Sequence, residues 1–123
     1  MPTVVAKTIP QPVEFARQAV DIASDKQASD IVMLDLRGVC DFADYFVILS
    51  AESDRQLEGL AVEIEKPLGA EGATLHHREG NAQGGWILLD FGNVIVHLFR
   101  SKEREFYQIE GAWSRGIEAV RIQ

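Results

Sequence analysis

Four groups of side chains in this sequence are of types that do chemistry, and each also has a plain structural use. His76 and His77 are adjacent. Neighbours on a strand point to opposite faces, so two such imidazoles do not converge on one ion as a zinc site requires, and solvent exposure is expected of both. The single cysteine, Cys40, has only Arg37 as a basic neighbour in sequence. That is too little to mark a thiolate nucleophile, and a small buried filler is expected instead. Asp41 and Asp44 stand three apart in a turn-prone stretch, a spacing that suits turn-forming or capping carboxylates better than a metal pair. Asp90 and His97 are the most suggestive pair, because a carboxylate beside an imidazole raises the imidazole's pKa. An acid/base dyad also needs a nucleophile or a substrate pocket, and the sequence offers neither. Two readings stay open for this pair: the groups satisfy each other or nearby backbone, or they sit within a partner-binding surface.

The elements that position these groups follow from periodicity. Apolar residues at helical spacing from Phe15 to Ala23, with Pro12 suited to the first helical position, predict a helix over 13–26. Alternation over 31–37 and the aromatic and β-branched run 45–51 predict two strands. Ser53 and Gln56 have capping-box spacing ahead of the stripe Leu57, Leu60, Ala61, Ile64 and Leu68, and Pro67 predicts that this helix ends near Lys66. A modest strand is expected over 74–79. The strongest pattern is a hairpin in which 86–91 and 94–99 flank Gly92-Asn93, a pair that favours positive φ. In that register Ile87, Leu89, Phe91, Val94, Val96 and Leu98 form one apolar face. Trp86, Leu88, Asp90, Ile95, His97 and Phe99 form the other. A third helix is expected over 101–113, with Phe106, Ile109 and Trp113 on its core stripe, followed by a short tail. The expected fold is an α/β sandwich of order α-β-β-α-β-β-β-α with a mixed sheet.

Composition narrows the function. The chain has 123 residues and a net charge of −7, with 46% hydrophobic residues, which is the usage of an ordinary globular domain. Met1–Pro12 holds three of the four prolines and reads as a flexible N-terminal segment, with 13–123 a single domain. No apolar run approaches the roughly 18 to 20 residues of a membrane span, no export signal is read, and one cysteine excludes an internal disulfide, so a cytoplasmic location is expected. The acidic balance disfavours sequence-specific nucleic-acid binding and favours a basic partner. From Asp41 to Glu71 there are eight acids and two bases. This tract is either a solvated face or a docking surface for a cationic protein. Phosphate-binding glycine loops, zinc-protease and serine-hydrolase signatures are absent, and no cofactor, metal or catalytic residue is assigned.

Several runs carry a resemblance: Asp35-Leu36-Arg37-Gly38, Asp44 to Ala51 with Ser53, Arg55 and Gln56, Gly84 to Phe99, Arg104 to Tyr107, and Trp113. Together they resemble the bacterial ribosomal silencing factor, or Iojap, family over roughly 13–113. The resemblance implies a core similar to the nucleotidyltransferase fold without its catalysis. Active enzymes of that fold need Gly-Ser opening a helix and strand carboxylates one residue apart for Mg²⁺; here Val39 follows Gly38, and no such pair lies on a predicted strand. It further implies a translational repressor that binds the large ribosomal subunit at its fourteenth protein and blocks the small subunit, lowering translation in nutrient limitation. A homodimer is implied when the protein is free. A nucleotidyltransferase-like enzyme and an adaptor for another basic protein are the alternative readings. Trp, Tyr and Phe around a few polar groups is the composition of an interface centre, so the second hairpin face is the expected partner-binding surface: Trp86, Leu88, Asp90, Ile95, His97 and Phe99, extended by Tyr45 and Tyr107.

Overall fold

In the computed structural model, residues 10–123 are described. The elements in chain order are α1 (Pro12–Asp25), β1 (Ser29–Asp35), β2 (Tyr45–Ala51), α2 (Asp54–Ala70), β3 (His77–Asn81), β4 (Trp86–Asp90), β5 (Val94–Arg100), α3 (Ser101–Tyr107), α4 (Ile109–Ala112) and β6 (Ile117–Ile122). Most of the flexible segment expected over 1–12 lies outside the described residues, and its last residue, Pro12, opens α1 as its fixed φ predisposes it to do. The strands form one mixed sheet in the order β3-β4-β5-β2-β1-β6. β2 and β5 are parallel at its centre, and every other pairing is antiparallel.

One face of this sheet is packed by α1 and α2. Phe15, Ala16, Ala19, Val20 and Ala23 of α1 and the predicted stripe of α2 meet Tyr45, Val47 and Leu49 of β2 and Ile87, Leu89, Val94, Val96 and Leu98 of the hairpin. The hairpin register agrees with the sequence: Ile87 faces Leu98 and Leu89 faces Val96. Phe91 N–H donates to the Val94 carbonyl across Gly92-Asn93 at 2.9 Å. Of the two loop residues only Gly92 takes a positive φ, +88°, which places glycine first as in a type II′ turn. At α2 the Ser53 hydroxyl accepts from Gln56 N–H at 3.0 Å, and Gln56 Oε1 accepts from Glu52 N–H at 2.7 Å, one residue before the cap.

Five expectations change. α2 does not stop near Lys66 but runs through Pro67 to Ala70, because Leu68 in that last turn is fully buried and its burial outweighs one lost hydrogen bond. The third strand lies at 77–81, displaced from 74–79 so that Asn81 can pair with Trp86. The expected helix over 101–113 divides at Gln108, whose φ of +46° is left-handed. Phe106 leaves the expected core stripe and is 79% exposed. The tail forms β6, antiparallel to β1.

Candidate functional site

The second face of the sheet is covered unevenly. Over β1, β2 and β5 it is closed by α3, α4 and the 36–44 loop: Val32, Leu34, Leu36, Ala43, Phe46, Ile48, Ile95 and Phe99 form a second core, with Ile109 and Trp113 packed against it. Arg104 fixes this cover. It is buried beneath α3, and its guanidinium donates to Glu110 (3.0 and 3.2 Å), to the Ser50 hydroxyl (2.9 Å) and to the Asp30 carbonyl. Ser50 is on β2, Asp30 on β1 and Glu110 on α4. One cation therefore ties the two short helices to two strands, and a buried guanidinium is tolerated because each side of it has an acceptor.

Towards β4 and β3 the cover stops. Trp86 and Leu88 are half-buried, and Tyr107 at the end of α3 is 47% exposed. Together with Glu79, Gly80, Asn81 and Gly84 they line a groove of about 350 Å³. The Tyr107 ring centre lies 4.7 Å from that of Trp86, and Phe106 continues the aromatic surface at 5.1 Å from Tyr107.

Beneath the groove the aromatic groups continue inward. Trp86 is 4.9 Å from Phe99 and 5.8 Å from His97, and His97 is 4.7 Å from Phe46. Trp86 Nε1–H donates to His97 Nδ1 at 3.2 Å. His97 Nε2 is buried and has no hydrogen-bond partner among the described residues. Burial lowers the His97 pKa from 6.5 to about 4, because the interior penalises the imidazolium and no carboxylate compensates. This corrects the expectation that Asp90 raises it. Asp90 is opposite Ile95, and its carboxylate instead accepts from Gly92 N–H at 2.7 Å, closing the hairpin turn.

Apart from Asp90, whose carboxylate closes the hairpin turn, the expected binding residues thus separate into three sets. Trp86, Leu88 and Tyr107 are brought together at the surface. Ile95, His97 and Phe99 share their face but lie underneath, buried by Phe46, Trp86 and the short helices, so they support the surface and do not reach a partner directly. Tyr45 departs from the expectation that it extends this surface: paired with Val94, it points into the α1/α2 core and is 3% exposed. Strand parity is the reason, since Phe46 and not Tyr45 takes the second face. Glu79 and Phe106 were not anticipated. The signal for Glu79 is its register opposite Leu88, legible only once the third strand is placed correctly. Among the described residues no group of three or more His, Cys, Asp or Glu side chains is arranged to hold a metal ion, and no helix is long and apolar enough to cross a membrane.

Comparison with known proteins agrees with this architecture. Residues 9–123 match the model of the family described as "Ribosomal silencing factor during starvation". The chain is 38% identical over 95 residues to the ribosomal silencing factor of Bacillus subtilis, covering 77% of this chain and 80% of that protein. It is 35% identical over 100 residues to that of Halalkalibacterium halodurans, covering 81% and 86%. A crystal structure of a Chromobacterium violaceum protein superposes with a TM-score of 0.81 at 27% identity, covering 90% of this chain and 94% of that one. With residues 9–123 of its 123 matched by the family model, this chain belongs to the ribosomal silencing factor family.

Proposed function

We propose that this protein is a cytoplasmic, non-catalytic repressor of translation that docks on the large ribosomal subunit through its fourteenth protein and sterically prevents the small subunit from joining. Residues 13–123 act as a single binding domain, and the free protein forms a homodimer. The observation that carries the reading is the uncovered part of the second sheet face, where Trp86, Leu88 and Tyr107 meet beside exposed Phe106 in a member of the silencing-factor family. A contiguous aromatic surface backed by a rigid sheet is the form of an interface anchor. The net charge of −7 suits a basic ribosomal protein.

The test is a sucrose-gradient profile of purified subunits with and without the protein. Comigration with large subunits and loss of whole ribosomes on mixing is the expected result. Migration at the top of the gradient, with subunit joining unaffected, would overturn the reading.

A further inference from the structure

The groove beside Trp86 combines apolar walls with uncompensated negative charge at its rim. Glu79 is opposite Leu88, and Asn81 is opposite Trp86, in the β3–β4 register, so the Glu79 carboxylate rises on the same face as the indole. Three acids elsewhere are paired within the molecule: Glu58 with Arg78 at 2.6 Å, Asp54 with Arg100, and Glu110 with Arg104 at 3.0 Å. Among the described residues Glu79 has no such partner, and neither has Glu103, which stands one helical turn before Tyr107 with its carboxylate packed against Gly85. Among the described residues no lysine or arginine lines the groove.

An aromatic wall flanked by a free carboxylate favours a cation. The face of an indole attracts positive charge, tryptophan most strongly of the aromatic side chains. An uncharged apolar occupant would instead strip water from Glu79 and give nothing back. Arginine fits better than lysine, because a planar guanidinium stacks flat on a ring while meeting a carboxylate with two parallel N–H groups.

We propose that this groove takes the guanidinium of one arginine side chain of the basic partner, stacked on Trp86 and paired with Glu79. The assignment rests on the ribosomal docking reading above and names the chemical group that this surface selects.

The direct probe is N-acetyl-arginine methylamide, titrated into the full-length protein and compared with N-acetyl-citrulline methylamide, its neutral isostere. The indole ¹H–¹⁵N signals of Trp86 and Trp113 are followed by NMR. The arginine derivative is expected to shift the Trp86 signal and leave Trp113 in place. The citrulline derivative, and the arginine derivative on Glu79→Gln, are expected to give less than about a third of that shift. Equal shifts with both compounds, or a shift that survives Glu79→Gln, would overturn the proposal. Binding to purified large subunits supplies the second readout. Glu79→Gln is expected to weaken it about tenfold, as for a desolvated charge partner, with an unchanged melting temperature. If the wild type binds and the variant binds equally well, the arginine assignment is wrong. If the wild type does not bind large subunits at all, the docking reading fails, and the titration alone then decides whether the groove takes a guanidinium.

Discussion

The Trp86 indole N–H donates to Nδ1 of His97 across the β4–β5 pair, and this bond sets the state of both rings. With Nδ1 accepting, the proton of the neutral imidazole resides on Nε2, which points into the second core without a partner. Trp86 is thereby fixed at its polar edge while its flank lines the groove.

Stability should depend on pH through His97. Its folded pKa, lowered to about 4 by burial, lies below the unfolded value near 6.5, so between these values the unfolded chain binds more protons than the folded one. Stability is then full above pH 6.5 and falls as pH drops from 6.5 towards 4, by about 3 kcal/mol for this group. Below about pH 4 His97 contributes no further loss. Urea unfolding at pH 7.5, 5.5 and 4.5 should show the decline in the wild type and a flatter profile in His97→Phe; parallel profiles would assign the decline to other groups.

Removing the donor should cost stability without abolishing the fold. Trp86→Phe retains much of the ring packing but leaves both imidazole nitrogens of buried His97 unsatisfied, a loss of about 1–3 kcal/mol. The double variant Trp86→Phe with His97→Phe should recover part of it, because no orphaned polar atom remains. A double-mutant cycle by urea unfolding checks this, and strict additivity of the two costs would refute the coupling.

The hairpin was legible in the sequence because period-two alternation on both sides of Gly92-Asn93 admits one register that keeps an apolar face intact. Both of its faces and the α2 stripe are found as expected. What periodicity cannot supply is which side of a neighbouring strand meets that face. Tyr45 and Phe46 are both aromatic, and only the β2–β5 register turns Phe46 towards His97 and Tyr45 away. The break at Gln108 was hidden for another reason. Glutamine is not a helix breaker, and the left-handed residue is accounted for by Arg104, which draws Glu110 back towards it. β6 was missed because its residues are largely exposed; the open edge of β1 makes it a strand.

Arg104 should be among the most sensitive positions outside the apolar core. Arg104→Ala leaves the Ser50 hydroxyl and the Asp30 carbonyl without this donor, leaves Glu110 with its ion pair to Arg121 at 3.5 Å and opens space beneath α3, a loss of about 1–3 kcal/mol. Arg104→Met with Glu110→Gln removes the charges together and should be less destabilising than Arg104→Ala alone. Thermal unfolding of the variants tests the ordering, and an Arg104→Ala protein of wild-type stability would show that the network is dispensable.

Substitutions at the open surface should separate binding from folding. Trp86→Ala is expected to weaken large-subunit binding by about 2 kcal/mol or more, as at an interface hot spot, with the fold retained. Asp90, on the same expected surface, is a different case: its carboxylate accepts from Gly92 N–H in the hairpin turn, so Asp90→Ala should affect stability first. Phe106→Ala is the cleaner companion, since Phe106 is 79% exposed and its removal costs the fold little. Normal binding by both Trp86→Ala and Phe106→Ala would move the docking surface elsewhere.

The acidic tract from Asp41 to Glu71 should act on the rate of docking more than on its lifetime. Its charge is partly used within the molecule, since Asp54, Glu58 and Glu63 pair with Arg100, Arg78 and Lys26. Reversal at Glu58 would therefore also disturb the contact between α2 and β3. Glu65 and Glu71 have no such partner among the described residues and carry the test more cleanly. Because α2 packs on the sheet face opposite the groove, these charges steer encounter only where screening is weak, with a Debye length of about 30 Å at 0.01 M against about 8 Å at physiological salt, and they leave the bound state nearly unchanged. Glu65→Lys with Glu71→Lys should slow association with large subunits several-fold at low salt, with little change in dissociation, and the difference should shrink as salt is raised. Stopped-flow association at two ionic strengths separates the cases: rates indifferent to both salt and charge reversal would make the tract a solvated face that keeps an apolar-rich protein soluble.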